Sequence, residues 1–337
     1  MKNYISAVLL VLSVLISAQV SATTITIISR DNPGEGLGST RSVSPVPGNN
    51  ATTLGGQFFN VFRAASDFWE DRIDSNIPIL FDVQLDPLPC SATSGTLGAA
   101  GPLAGFINFA NAPASNTIYV VAQANSLAGF DLDPGFSDLS ATFNSNLGTP
   151  GCLTGLSWWL GIDSPAPPGT ISLFDTVLHE IAHGIGFLSL VDSNGVRFFD
   201  LNDAYMLNLF DRSQNLPWAL MSNGQRAAST VNSGGLVWSG SSVAQGAEVI
   251  TEGRNGGSLR MFAPNPFQPG SSVSHWDTAL SPDELMEPFA TQTSNSCATI
   301  LALSDMGWRI GTTEEICQIN SPVLAPIYLL LNKEEEE

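Results

Sequence analysis

His179 and His183 stand four residues apart with Glu180 directly after the first, the pattern H-E-x-x-H. On a helix, positions i and i+4 share one face, so two imidazoles at this spacing can hold one ion. Zinc accepts imidazole nitrogen readily and prefers four ligands in a tetrahedron; where one position is left to water, that water becomes acidic. Glu180, one step round the helix, is placed to take the water's proton and hand it to a leaving group. The chemistry implied is hydrolysis, with a peptide carbonyl as the electrophile. A third protein ligand is needed, and the chain has three histidines in all. The compact spacing H-E-x-x-H-x-x-G-x-x-H fails because Ser189 stands where the third histidine would be. Glu248 and Glu252 lie at distances open to a carboxylate ligand, but neither sits in a helical pattern. His275 remains, in the run Ser272-Val273-Ser274-His275-Trp276-Asp277. Asp277 has two readings of equal weight, orienting a ligand imidazole or capping a loop. Trp276 reads as a packing anchor.

These residues need elements to hold them. Around the motif, Phe174, Val177, Leu178, Ile181 and Ile185 keep one face apolar, which predicts a helix over 174–188. A second amphipathic helix is predicted over 53–73, where Phe58, Val61, Phe62, Ala65, Phe68 and Trp69 recur at helical spacing. Alternation or β-branched runs predict strands at 24–29, 77–85 and 117–122, with 139–144 as an edge strand. Residues 31–52 are rich in Gly, Pro, Asn and Ser and read as a long loop; the small-residue stretch 91–116 carries weak signals. Further on, 198–211 reads as helical in part, 224–231 as a short helix, 236–238 and 248–251 as strands, 253–275 as a loop and 299–306 as a helix.

The 337 residues suffice for a sizeable core, and with 43% hydrophobic and 13% charged residues the chain is neither disordered nor repetitive. Residues 1–22 read as a signal peptide: Lys2, an apolar run over 5–16, and small residues up to Ala22, after which cleavage is expected. The run is short for a membrane span. This predicts a secreted protein, with the periplasm or cell surface as further destinations, and no firm membrane association. Export agrees with an even count of four cysteines, none in a C-x-x-C pair. Three pairings exist; Cys90–Cys152 with Cys297–Cys317 is favoured because each closes a local loop. A net charge of −19 argues against nucleic acid and anionic lipid as partners. Asp131, Asp133 and Asp138 form the best acidic cluster, but no calcium-loop motif is present, so Ca²⁺ is unsupported and a solvated loop is expected. Residues 321–337 form a tail, a short apolar run ending in Lys333 and four glutamates, of open purpose. The sequence leaves oligomeric state open.

The combination of HEIAHGIGF at 179–187, SVSHWD at 272–277 and ELMEP at 284–288 resembles the leishmanolysin-like branch of the metzincin zinc peptidases, in which an insertion separates the helix from the third histidine. A group of exported bacterial zinc peptidases is similar over most of the mature chain, through DNPGEG at 31–36, TLGGQ at 53–57, FNSNLG at 143–148, GCLTG at 151–155 and PGSSVSHWD at 269–277. The resemblance implies His179, His183 and His275 as zinc ligands, Glu180 as base, Met286 as the methionine of a Met-turn, and Gly186 as the point where the chain leaves the helix. It implies an α/β (α+β) fold with a twisted mixed sheet, and two lobes around a cleft. Residues 23–190 would carry the active-site helix, and 191–320 the third histidine and Met-turn. The partner would be a peptide or protein substrate. The segment 187–274 matches no separate domain. Two other classes compete: a non-catalytic, zinc-stabilised extracellular binding or adhesion protein, and a metal-assisted hydrolase of a non-peptide bond. Glu180 beside an open metal position speaks against the first.

Overall fold

The computed structural model describes residues 23–291, 293, 295–311 and 317. The signal-peptide and C-terminal-tail expectations therefore lie outside the described residues. The chain is a mixed α/β protein with several small sheets and six α-helices among the described residues.

The largest sheet contains β1 (Ile25–Ser29), β2 (Ile79–Asp86), β3 (Gly98–Pro102) and, further along the chain, β5 (Leu139–Asn144), in the order β1-β2-β5-β3. The first three in that order run parallel and β3 runs antiparallel at the edge. Strand β2 alternates buried and half-buried residues along ILFDVQLD, the pattern of a strand with one face on a core. Helix α1 (Leu54–Glu70) and helix α3 (Leu173–Gly184) pack beside this sheet and each other. The Trp69 indole of α1 donates to the Leu178 carbonyl of α3 at 3.1 Å. Helix α3 presses close to β5: a Cβ at Gly184 would fall 2.2 Å from Leu139 Cδ1, so only glycine permits the approach.

Several expectations change. Residues 139–144 form an inner strand, not an edge; the edge is β3, whose sequence GAAGP has no β-branched or aromatic residue to announce it. The strand expected over 117–122 ends early: β4 (Thr117–Val120) passes directly into α2 (Val121–Ala128), which closes on Gly129 at φ +78°. The helix carrying H-E-x-x-H stops at Gly184, not 188, and residues 248–251 form no strand. The stretch 198–211 contains two single 3₁₀ turns and then β6 (Leu209–Asp211), which pairs with β7 (Leu236–Trp238). Between them lies α4 (Asn223–Ser229), whose fully buried Arg226 donates to the carbonyls of Gly195, Trp218 and Met221. Helix α5 (Ser241–Gly246) packs on α6 (Cys297–Met306).

The cysteines pair as Cys90–Cys152 and Cys297–Cys317. The acidic cluster is not solvated throughout: Asp138 is buried, accepts the Leu80 N–H at 2.7 Å and shares the Asn125 amide with Asp131.

Candidate metal centre

Helix α3 begins with Ser172, whose hydroxyl accepts the Asp175 N–H at 3.1 Å, and runs twelve residues. His179 and His183 therefore fall one turn apart on the face toward a cleft of about 680 Å³. The helix ends tightly. Gly186 takes φ +121°, and the Phe187 N–H reaches back to the Ala182 carbonyl at 2.9 Å, a closure that needs a left-handed residue. The turn points the Phe187 carbonyl at His183 Nδ1, 2.7 Å away.

His275 arrives from a bent segment. Val273 has φ +74°, a strained value for a β-branched residue. It is held there by bonds to the Phe262 carbonyl at 2.7 Å and from the Tyr205 hydroxyl at 2.8 Å. The bend sets the Ser271 carbonyl against His275 Nδ1 at 2.8 Å. The loop 284–287 supplies the third support: the Leu285 carbonyl lies 2.8 Å from His179 Nδ1.

A carbonyl can only accept, so each Nδ1 carries the proton and each Nε2 presents a lone pair. Those lone pairs converge. His179 Nε2 lies 3.1 Å and His183 Nε2 3.2 Å from His275 Nε2, and the ligand atoms of all three lie within 4.8 Å of one another. Three lone pairs facing each other repel unless a cation sits among them. A tetrahedral ion with bonds of about 2.0–2.1 Å sets its nitrogens about 3.3 Å apart. The three histidines could thus hold one metal ion. Burial pushes the His179 imidazole down to about 4 and, with the neighbouring His179, that of His183 down to about 3. Burial and both neighbours hold His275 well below the usual range. All three are neutral at neutral pH, the state a metal requires.

Glu180 is 6% exposed and also lines the cleft, and burial pushes its carboxyl up to about 8. Edge strand β3, packed beside α3, also lines the cleft through Gly98, Ala99 and Ala100. Asp277 caps its own loop, accepting the Ala279 N–H at 2.9 Å and facing Arg260, while backbone carbonyls orient all three imidazoles. Trp276 is fully buried and packs on Phe187 and Trp238. Glu248 and Glu252 are not part of the cluster.

Sequence reasoning missed the supports. Glu284, fully buried, accepts from the Thr299 N–H at 3.0 Å, the Thr299 hydroxyl at 2.6 Å and the Met286 N–H at 3.3 Å, and so fixes the loop carrying Leu285. Thr299 in turn accepts the Trp276 indole N–H at 3.0 Å. A carboxylate on each side of Leu285-Met286 was the one signal that pointed there. No family model, curated protein or solved structure matches this chain. Among the described residues no helix is long and apolar enough to cross a membrane.

Proposed function

We propose that this chain is an exported zinc-dependent endopeptidase of the leishmanolysin-like branch of the metzincins, with His179, His183 and His275 as ligands and Glu180 as general base. The observation that carries the reading is the convergence of three neutral imidazole Nε2 atoms beside a buried glutamate, in a cleft large enough for a peptide. When bound, the ion supplies Lewis acidity, making water acidic near neutral pH and polarising the carbonyl it faces. The chain does the rest. The three carbonyls of Leu285, Phe187 and Ser271 hold the imidazoles in the tautomer that donates from Nδ1. Beside a bound cation Glu180 would be held ionised despite its burial, and it takes the proton of the attacking water and delivers it to the leaving amine. Gly98, Ala99 and Ala100 of edge strand β3 line the cleft and offer backbone groups to an extended substrate, which favours a peptide over other hydrolysable bonds. Residues 23–190 and 191–320 would be the two lobes of the metzincin arrangement, and Met286, fully buried, the Met-turn residue.

The test is cleavage of a casein-type substrate by residues 23–337 beside the Glu180→Ala variant, with metal content measured for both. The reading requires one zinc per chain in each and cleavage by the parent alone. Zinc in both with cleavage by neither, over a broad peptide pool, sinks it and supports a zinc-stabilised binding protein.

A further inference from the structure

Gly98 lies in β3 opposite Phe143, and no left-handed backbone angle calls for glycine there. What excludes a side chain is Glu180. A Cβ at position 98 would fall 2.7 Å from Glu180 Oε1, 2.8 Å from Cγ and 2.9 Å from Cδ, where ordinary contact starts at 3.4 Å. The strand cannot easily retreat. It is paired with β5 from Gly98 to Pro102, and the Leu97 carbonyl accepts the Asn144 N–H at 2.9 Å. Helix α3 is equally fixed, by the Gly184 contact with Leu139 and the Trp69 bond to Leu178. The part free to yield is the Glu180 carboxylate, which has to shift by about 0.7 Å to restore ordinary contact. Gly101, three residues along the same strand, has no atom within 4 Å of the corresponding Cβ and also lacks a left-handed φ. The two glycines share a strand and neither has a left-handed φ; three residues apart they lie on opposite faces, and only position 98 meets Glu180.

We propose that Gly98 is a positioning residue for Glu180: the bare Cα of the edge strand sets where the carboxylate rests, and any side chain at 98 drives it out of place. This rests on Glu180 being the base, so the experiment includes a readout that does not. The zinc-loaded parent, Gly98→Ala and Gly101→Ala are compared by crystal structure, metal content and steady-state peptide cleavage. In Gly98→Ala the carboxylate is displaced by about 0.7 Å with metal content unchanged. Its kcat falls about a hundredfold, as a misplacement near one ångström does, while KM stays within about threefold. Gly101→Ala matches the parent. Added to Glu180→Ala, the Gly98→Ala change lowers the residual rate no further. A carboxylate that stays in place while β3 moves overturns the proposal; so does a rise in KM at unchanged kcat, which marks Gly98 as a substrate contact. If the parent cleaves nothing, the peptidase reading fails, and the carboxylate position in Gly98→Ala still decides this one.

Discussion

The carbonyl of Leu285 accepts the Nδ1–H of His179 at 2.8 Å, across 106 residues of chain. An imidazole on the helix is therefore aimed by a loop that meets it only in the folded state, and whatever fixes the loop fixes the imidazole.

Glu284 is that fixture. Replacing it with alanine strands the N–H groups of Thr299 and Met286 and the Thr299 hydroxyl in a buried site. Each unsatisfied group costs about 1–3 kcal/mol. Glu284→Ala is expected to lower unfolding free energy by at least about 3 kcal/mol and to weaken metal binding about 10–100-fold, as loss of a support behind a ligand does. Urea unfolding and zinc titration against a competing chelator measure the two. A variant that loses stability but binds zinc as the parent does would separate Glu284 from the metal.

Metal should stabilise the fold directly, because the unfolded chain offers no preformed site. With free zinc at a thousand times its dissociation constant, the increment is about 4 kcal/mol. Calorimetry with zinc and with chelator reads it as a rise in melting temperature. His275→Ala is expected to abolish most of that rise while lowering the chelated melting temperature much less, since among the described residues the imidazole's one metal-independent hydrogen bond is to the Ser271 carbonyl.

Asp203 gives a pH dependence of known sign. Its carboxylate is buried and accepts the N–H groups of Met206 at 2.6 Å and Leu190 at 3.1 Å, and burial pushes it up from 3.8 to about 6. A raised folded value means the folded state holds the proton more tightly. The associated stability is fully present below about pH 4 and is lost as pH rises through about 6, by about 3 kcal/mol. Asp138, also raised to about 6 by burial, adds a loss of the same sign. Urea unfolding of chelated parent and Asp203→Asn from pH 4 to 8 isolates the Asp203 part, because other groups cancel in the difference. The variant starts less stable, and its curve falls less steeply; parallel curves would show that Asp203 titrates normally.

The helix and the histidines that the fold brings together were legible because chemistry fixed the spacing: H-E-x-x-H needs one helical face, and His275 was the only histidine left. The helices over α1 and α3 and the strands β1, β2 and β5 showed in periodicity. Strand β3 did not, since Gly98, Ala99, Ala100 and Gly101 have no side chains whose alternation could be read; of the two glycines, only Gly98 is crowded by a neighbour. The handover from β4 to α2 was hidden because Val120 and Val121 suit a strand by composition, and the helix is set by the residues from Ala122 to Ala128. The three supporting carbonyls leave no trace in sequence at all. Every residue has one, and only tertiary geometry chooses Leu285, Phe187 and Ser271.

Phe187 couples the site to the core behind it. Its carbonyl orients His183, and its ring packs against Tyr205 at 5.1 Å, Trp276 at 5.2 Å and Trp238 at 6.1 Å between centroids. Trp276 directly succeeds His275, so one aromatic cluster ties the exit of α3 to the segment bearing the third histidine. Truncating a buried phenylalanine costs about 3–5 kcal/mol through lost burial and the cavity left behind. Phe187→Ala should also free the backbone turn that presents the carbonyl, so the zinc increment in stability should shrink along with the metal-free stability. Phe187→Leu keeps most of the volume and should retain the increment while losing about 1 kcal/mol. Urea unfolding of each variant with zinc and with chelator separates the two effects. A full zinc increment in Phe187→Ala would mean that the closure at Gly186 alone holds the carbonyl on His183, and that the aromatic cluster serves stability without serving the metal.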